Sequence, residues 1–370
     1  SLLRMGAYQI LFMDVRDAAA CSEAVSLAKK RGFGRLSGFV NGVLRTIVRE
    51  KDRLPVPDKK EFDKYLSITY SVPEWLSRLM IDQYGAQTAE TMFASFLEAR
   101  PLTIRTNLSV ITPEALEEEL KKEGVSVERG TYLPYALTIS HLNYLGKLAA
   151  FRQGKFAVQD ESSQLAVEVA DINEGDFVLD VCAAPGGKTF HAADRLHGTG
   201  KVLSRDLTEY KTDLIEENKD RMCYENVEVQ QWDALVEDES LLESVDVLLA
   251  DLPCSGLGIM GRKNDIKYQM TQQQLSELAQ LQRDILSVIW RYVKPGGEMI
   301  FSTCTLNRGE NVENIRWIEE NTPMRLVSIE DYLPETLKGR TGSQGYLQLI
   351  PGKDSCDGFF ISKFERPEAR

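Results

Sequence analysis

The sequence predicts a chain whose largest part is an α/β domain with a mostly parallel, doubly wound sheet and a terminal antiparallel pair of strands. From about residue 151, short apolar strands alternate with helical segments, which is typical of parallel sheets covered by helices on both faces. Before residue 53, apolar residues recur only at the three-to-four spacing of helices. The 370 residues are enough for two or three domains, so we expect an all-α and a small α+β domain first.

Helical periodicity defines the first predicted domain, residues 1–58. Its apolar residues line one face of three segments, at 7–14, 20–30 and 37–50. The proline-containing stretch at 54–60 then reads as a linker.

The charge of this first part differs from that of the rest of the chain. Residues 1–60 contain 12 Lys and Arg against 6 Asp and Glu, although the whole chain has a formal net charge of −12. An acidic chain is not expected to bind nucleic acid over its whole surface. The basic segment, with Lys29, Lys30 and Arg31, is therefore either a solvated helical face or a surface for a phosphate backbone.

The second predicted domain, residues 59–150, mixes helices and strands. Helices are expected around 71–85, 88–99 and 112–124, and strands around 102–107, 125–130 and 136–140. This order predicts a small, RRM-like α+β unit.

The third predicted domain, residues 151–370, supplies the alternating pattern of the parallel sheet. Its strands are expected at 177–181, 201–207, 227–231, 245–250 and 298–303. A long helix from Thr271 is expected to stop at the Lys-Pro-Gly-Gly turn that begins at Lys294. The tail at 345–350 and 357–364 predicts the antiparallel pair.

Several sequence patterns that are missing from the chain indicate its cellular compartment and its class of protein. The six cysteines include no C-x-x-C pair, which argues against a zinc site and against a secreted disulfide framework, so we expect a cytoplasmic protein without a metal. No apolar run reaches 18 residues, so we expect no membrane span. The chain does not begin with Met and has no cleavable leader pattern, so we expect it to start inside a longer natural chain.

The turn after the first strand of the third domain, DVCAAPGGKT from Asp180 to Thr189, resembles the end of a phosphate-binding loop. Such a loop needs a glycine five residues before Gly187, and Cys182 stands there instead, so a nucleotide triphosphatase is disfavoured. The dinucleotide pattern G-x-G-x-x-G is also missing. The turn is therefore expected to let a ligand without a polyphosphate approach the backbone closely.

Acidic residues at successive strand ends suggest the nature of that ligand. Asp206 closes the strand after the loop, where an acid suits a ribose diol, and Asp233 follows the next strand, where it could accept from an adenine amino group. Together with Asp180 they predict an adenosine-containing cofactor, of which S-adenosylmethionine is the obvious example.

Two cysteines at neighbouring strand ends point to the reaction. Cys254 in DLPCSG and Cys304 in STCTL would both lie at the ligand-binding edge of the sheet. Carbon 5 of cytosine becomes nucleophilic when a thiolate adds to carbon 6, and the later steps need a proton donor at nitrogen 3 and a base. Asp251 could stabilise the protonated nitrogen, and the two thiols could divide the remaining steps.

These residues resemble the motifs of the Sun/Fmu family of RNA 5-methylcytosine methyltransferases. The motifs QDESS, DVCAAPGGKT, DLPCSG, STCTL with GENVENI, and DGFF occur in the family's order between residues 159 and 360. The first 50 residues resemble the NusB-like domain of one branch, the bacterial 16S ribosomal RNA cytosine-5 methyltransferases of type B. The resemblance implies a Rossmann-like S-adenosylmethionine-dependent domain and a 16S ribosomal RNA substrate, presented as a single-stranded loop or a flipped cytidine.

The resemblance also implies roles for single residues. Cys304 matches the nucleophile, Cys254 the thiol that assists proton removal and product release, and Asp251 the acid at cytosine nitrogen 3. The residues that match the cofactor site are Cys182, Ala183, Ala184, Pro185, Gly186, Gly187, Lys188, Asp206, Lys211, Asp233 and Asp251.

This sequence departs from the family at a few positions. Lys211 stands where an arginine is usual, so its contact to the cofactor or to a neighbouring acid is less assured. The stretch GRKNDIKY also differs, and its Arg262, Lys263 and Lys267 are either RNA phosphate contacts or parts of an exposed basic loop.

Two further readings stay open beside this one. The chain could be a non-enzymatic RNA-binding protein with a relic methyltransferase domain, although no motif cysteine or acid is missing. An amino-group methyltransferase would need an aromatic residue after Pro253, where Cys254 stands. We expect a monomer.

Overall fold

The computed structural model of the protein describes three ranges of the chain: residues 1–54, 57–142 and 144–368. By its internal contacts the chain groups into two compact units, Ser1–Thr69 and Tyr70–Arg370. The predicted linker includes Pro55 and Val56, which lie outside the described residues. The predicted domain boundaries stay predictions. No helix in the described ranges combines the length and apolarity needed to cross a membrane.

The first unit is helical, as the periodicity predicts. Its helices are α1 (Leu2–Phe12), α2 (Asp17–Lys30), α3 (Ser37–Glu50) and α4 (Phe62–Thr69). The first three pack around a small core that includes Ile10, Ala24 and Leu44. Gly6 allows α1 and α3 to approach closely, since a Cβ there would lie 2.7 Å from a methyl carbon of Leu44.

The second unit begins with two helices and a small antiparallel sheet. In chain order these elements are α5 (Glu74–Tyr84), α6 (Ala86–Ser95), β1 (Leu102–Thr106), α7 (Pro113–Lys122), β2 (Ser126–Arg129), β3 (Ala136–Ser140), α8 (Ala149–Arg152) and β4 (Phe156–Val158). Thr112 caps α7 by accepting a hydrogen bond from Ala115 N, 3.3 Å away. The strand order is β2-β3-β1-β4, with every neighbouring pair antiparallel.

The strand β4 was not predicted, and it lies in the segment that the sequence analysis assigned to the third domain. It pairs antiparallel with β1, with Val158 opposite Ile104 and Phe156 opposite Thr106. Three residues are too few to show strand alternation, so the sequence contains no clear signal for it.

The large sheet follows, with the helices that cover it. In chain order these elements are α9 (Glu161–Val169), β5 (Phe177–Asp180), α10 (Gly187–Arg195), β6 (Lys201–Asp206), α11 (Glu209–Met222), β7 (Val227–Gln231), β8 (Val245–Asp251), α12 (Ile266–Gln269), α13 (Gln272–Ile289), β9 (Val293–Thr303), α14 (Val312–Asn321), β10 (Arg325–Leu326), β11 (Tyr346–Leu349) and β12 (Phe359–Glu365). The predicted α/β fold is confirmed.

The topology of the large sheet determines where a ligand can bind. Its order is β10-β12-β9-β8-β5-β6-β7, and β11 pairs with β12. The pairs from β9 to β7 are parallel, whereas β10, β11 and β12 pair antiparallel, including the predicted tail pair. The chain order reverses between β5 and β8, so the crevice at the carboxyl ends of these two strands is the expected binding position.

One predicted boundary is wrong in detail. The helix α13 ends at Ile289, and a short 3-10 turn over Trp290–Tyr292 follows it. The Lys-Pro-Gly-Gly stretch belongs to β9, where the register with β8 shifts between Val245 and Val247. This irregularity accommodates residues that would otherwise interrupt a strand.

A buried ion pair joins the small sheet to the large one. Arg105 of β1 is fully buried and donates to Asp194 of α10 at 3.2 Å and to Gln159 at 2.9 Å. Asp194 also accepts hydrogen bonds from the backbone amides of Leu108 and Ser109. The position of β1 is therefore linked to the helix that begins at the GGK turn.

Candidate active site

A cleft opens at the carboxyl ends of β5 and β8, where the chain order of the sheet reverses. Its lining comes from the QDESS segment, the turn at 182–188 with Asp180, Asp251, Cys304 and the loop that contains Asp357. Five of the motifs recognised in the sequence therefore meet around one cavity.

The DVCAAPGGKT turn is built by backbone contacts with the next strand. Ala183 N donates to Arg205 O at 2.9 Å, and Ala184 N donates to the Asp206 carboxylate at 3.0 Å. Gly186 has φ +102°, a left-handed conformation that favours glycine, and a Cβ there would overlap the ring of Phe190. This close approach brings the start of α10 to the cleft.

Asp206 and Lys211 form a pair beside this turn. Asp206 is buried, and its second oxygen accepts hydrogen bonds from Leu207 N at 2.8 Å and from Lys211 Nζ at 2.9 Å. The lysine that replaces the family's usual arginine therefore contacts the neighbouring acid. Asp233 lies beyond β7, is exposed, and accepts from Leu235 N at 3.0 Å.

Asp180 has an unused oxygen in the wall of the cleft. The residue is almost fully buried, and Thr189 donates to its Oδ2 at 2.8 Å, while its Oδ1 has no hydrogen-bond partner. Burial raises the pKa of Asp180 to about 7, and the negative charges of Asp251 and Asp206 also raise it. An unpartnered carboxylate oxygen at this depth fits a cationic ligand group, such as the ammonium of a bound amino acid.

Asp251 is held at the end of β8 by two side chains. Lys188 Nζ donates to its Oδ2 at 2.6 Å, and Ser302 Oγ donates to its Oδ1 at 2.8 Å. Lys188 is itself buried and also donates to Ser163 at 2.8 Å. The lysine of the GGK turn and the acid of the DLPCSG motif thus form one ion pair in the cleft.

The two motif cysteines are in contact. Cys254 Sγ lies 3.3 Å from Cys304 Sγ, and both residues are partly buried. Cys304 lines the cleft. The pKa of Cys254 is raised well above its ordinary value, first by its hydrogen bond with Cys304, then by burial and by the charges of Glu310 and Asp251.

A buried carboxylate that the sequence analysis assigned no role fixes the loops of both cysteines. Glu310 accepts from Ser255 N at 2.8 Å, from Ser255 Oγ at 2.6 Å and from Asn307 Nδ2 at 3.0 Å. Ser255 Oγ also lies 2.6 Å from Thr305 Oγ1, so residues next to Cys254 and Cys304 share one network. Burial raises the pKa of Glu310.

The same network extends to the long helix. Gln282 of α13 donates to Pro253 O at 2.8 Å and to Glu310 at 3.3 Å, and it accepts from Asn314 at 2.7 Å. The GENVENI motif was recognised in the sequence, but its partners lie 28 to 55 residues away and only the fold brings them together.

Comparison with known proteins identifies the family of the chain. The family model of the 16S rRNA methyltransferase RsmB/F matches residues 167–365, the NusB family matches 1–49, and the ferredoxin-like domain of the RsmF/B-like methyltransferases matches 72–143. The probable ribosomal RNA small subunit methyltransferase B of Bacillus subtilis (strain 168) is 36% identical over 373 residues, which cover 99% of this chain and 82% of that protein.

The chain belongs to the 16S rRNA methyltransferase RsmB/F family.

Solved structures agree with this membership. The crystal structure of PH0851 has a TM-score of 0.84 and 28% identity, covering 98% of this chain and 81% of that one. NSun6 from Pyrococcus horikoshii with SFG has a TM-score of 0.71 and 23% identity, covering 80% and 99%, and shows the likeness of the fold. The chain is thus a ribosomal RNA methyltransferase with a NusB domain.

The candidate RNA contacts of this RsmB/F family member fall into two groups. Lys29, Lys30 and Arg31 are exposed at the end of α2, and Lys263 is exposed after β8. The other two, Arg262 and Lys267, contact other residues of the protein.

Arg262 donates to Asp357 at 2.6 Å and to Asp160 at 3.2 Å, and 30% of its side chain is exposed. Lys267 is buried beside the ring of Tyr268, and burial lowers its pKa. Both side chains therefore have contacts within the protein, and their contacts with RNA stay predictions.

Proposed function

We propose that the protein methylates carbon 5 of a specific cytidine in 16S ribosomal RNA through a covalent adduct between Cys304 and carbon 6. The observation that carries this proposal is the contact of the two thiols, 3.3 Å apart, beside the Lys188–Asp251 pair in the cleft. Methylation of a base amino group or of a ribose oxygen has no use for two adjacent thiols, whereas carbon-5 methylation needs a nucleophile and a second proton-transfer group.

Cys304 is the proposed nucleophile because it lines the cleft together with the GGK turn. Its S–H bond breaks as the sulfur bonds to carbon 6, the electron pair of the carbon 5–carbon 6 double bond moves through carbon 4 to ring nitrogen 3, and that nitrogen gains the proton of the thiol. Asp251, held by Lys188 and Ser302, stabilises this protonated nitrogen 3. Carbon 5 is then nucleophilic enough to accept a methyl group.

Cys254 suits the second half of the reaction. The hydrogen at carbon 5 leaves as a proton, its bonding electrons restore the double bond, and the bond between carbon 6 and Cys304 breaks. Cys254 would take this proton as a thiolate, and the sulfur of Cys304 takes back the proton held on nitrogen 3 as the product leaves. Its contact with Cys304 lets it assist proton removal and release of the product.

Several residues would hold the cofactor. The turn from Cys182 to Lys188 would surround the methionine part, the unused oxygen of Asp180 would accept from its ammonium, and Asp206 with Lys211 would face the ribose. Asp233 remains the candidate for the adenine side. When bound, S-adenosylmethionine supplies the methyl group.

The chemistry also sets the form of the substrate. A stacked base hides carbon 6, so the target must be in a single-stranded loop or flipped out of its helix. The basic first unit would then bind phosphates, while the acidic second unit holds the base. We propose that the protein acts as a monomer.

Nucleoside mass spectrometry tests the proposal directly. Unmodified 16S transcript is incubated with S-adenosylmethionine and either wild-type protein or Cys304→Ala, and 5-methylcytidine is measured. Product from the wild type alone supports the proposal. Another methylated nucleoside from the wild type, or equal 5-methylcytidine from Cys304→Ala, contradicts the proposed reaction. A wild type that binds RNA but neither methylates it nor binds the cofactor would favour an RNA-binding protein with a relic methyltransferase domain.

A further inference from the structure

A second groove lies beside the loop of Cys304 and takes no part in the site described so far. Its volume is about 590 Å³, and α5, α14 and β11 contribute to its walls. The side chains that characterise it are three arginines and two tyrosines: Arg308, Arg316, Arg340, Tyr84 and Tyr346.

The charge of this groove is opposite to that of the chain. The described lining residues include three arginines and one carboxylate, Glu313, and Arg340 is paired with Asp354, which leaves a local net charge of +1 in a protein of net charge −12. Arg308 and Arg316 are exposed. Arg340 is fixed at the rim by Asp354 at 2.8 Å and by Gln348 O at 3.0 Å. Charge of this kind attracts anions.

The aromatic side chains give the groove a second property. The guanidinium of Arg308 lies 5.3 Å from the ring centre of Tyr84, and both rings are partly exposed at the groove. Arginines that bind phosphates, together with aromatic faces on which bases stack, are the usual surface for single-stranded nucleic acid. A small free anion would not need the aromatic faces.

Hydrogen bonds join the groove to the proposed nucleophile. Tyr84 donates its hydroxyl proton to Leu306 O at 2.5 Å, and Gln348 donates to Thr305 O at 3.4 Å. Thr305 and Leu306 follow Cys304 directly in the chain. A strand lying in the groove would therefore pass the back of the loop that presents the sulfur.

We propose that this groove binds the RNA strand next to the target cytidine, with Arg308 and Arg316 contacting phosphates and Tyr84 supporting a base. The inference rests on the proposed function, because it assumes that the target base enters the cleft at Cys304. It adds a substrate-binding surface on the second unit, separate from the basic residues of the first.

Binding to a 16S fragment that contains the methylated site tests the groove, with fluorescence anisotropy measured over a range of salt concentrations. The double variant Arg308→Glu/Arg316→Glu is compared with wild type and with Arg325→Glu, an exposed arginine of β10 outside the groove. We expect the double variant to bind at least about tenfold more weakly and to lose about one to two units of the salt slope, since two phosphate contacts are removed. Arg325→Glu should bind like wild type.

The variant Arg308→Lys/Arg316→Lys keeps both positive charges while it changes the same two side chains. It therefore distinguishes an effect of charge on RNA binding from an effect of the substitutions on folding, and we expect it to retain most of the salt slope. Cofactor affinity and melting temperature, measured for every variant, exclude a general folding defect. If the double reversal misfolds, Arg316→Glu alone, on the exposed face of α14, should lose about half of the effect. Wild-type affinity and salt slope in the folded reversal variants would overturn the inference.

Failure of the groove and failure of the proposed function give different results. If wild type forms 5-methylcytidine while the reversal variants bind RNA normally, only the groove inference fails. If wild type binds RNA through the groove but forms no 5-methylcytidine, the groove stands and the proposed reaction fails.

Discussion

Replacing either of the two cysteines in the cleft should stop the proposed reaction at a different step. Removing the proposed proton-transfer thiol should leave the nucleophile in place, so Cys254→Ala should form the adduct with RNA and fail to release it. We expect a slowly migrating protein–RNA band on a denaturing gel with Cys254→Ala, and none with Cys304→Ala. The opposite pattern would mean that the two thiols have exchanged roles.

The pH dependence of cofactor binding should reflect Asp180. Its pKa is raised to about 7, so its carboxyl is mostly protonated at pH 6 and mostly ionised at pH 8 in the free protein. An ammonium group beside its unused oxygen favours the ionised form, and the affinity should therefore rise with pH. We expect about tenfold tighter binding at pH 8 than at pH 6, from the change in the ionised fraction.

Calorimetry with S-adenosylmethionine across this pH range measures the effect. The matched variant Asp180→Asn should bind more weakly at pH 8 and show little change with pH. A slope retained in Asp180→Asn would mean that a group other than Asp180 causes the pH dependence.

At the scale of residues, the sequence predicted those members of the candidate site that lie within one short motif. The turn at 182–188, both cysteines and Asp251 were predicted, and they meet in one cleft because parallel strands end at the same edge. The role of Glu310 could not be predicted, since two of its donors, Ser255 and Gln282, lie far away in the chain. Pairing of buried polar groups depends on packing that no local pattern encodes.

At the scale of elements, we expect a substitution at the buried contact between β1 and α10 to lower stability strongly. Asp194→Ala would leave Arg105 buried without its ionic partner, and breaking such a pair costs about 3–5 kcal/mol. Denaturant unfolding should therefore show that the free energy of unfolding of Asp194→Ala is lower than that of the wild type by this amount. The control Glu117→Ala removes exposed contacts to Lys121 and Arg129, where we expect at most about 1 kcal/mol. Equal losses of unfolding free energy in the two variants would mean that the buried pair contributes no more to stability than the exposed contacts.

Element prediction succeeded where periodicity extends over several residues and failed where it does not. The five parallel strands and the long helix α13 have clear apolar patterns, and the structure contains them. The three residues of β4 are too short for a pattern. The Lys-Pro-Gly-Gly stretch has the composition of a helix stop, yet it lies within β9, because Val293 and Glu298 on either side pair with β8 and its glycines form backbone hydrogen bonds with Arg366. Tertiary contacts override local preference in both places.

At the scale of the whole molecule, charge is distributed unevenly between the two ends of the chain. Residues 1–60 carry a net charge of +6, so Lys29→Glu/Lys30→Glu/Arg31→Glu should weaken RNA binding and lower the salt slope by about two if all three contact phosphates. Arg325→Glu again serves as the control. An unchanged slope would mean that these residues form only a solvated face of α2.

The link between β1 and α10 restricts how this enzyme can be recombined. A chimera joined near residue 150 would take β1 from one parent and β4 from the other, and it would separate Arg105 from Asp194. Because α10 begins at the turn proposed to hold the cofactor, a mismatched partner should disturb methyl-donor binding as well as the small sheet. Exchange of RNA specificity between relatives should therefore succeed only when the small sheet and the large sheet are inherited together.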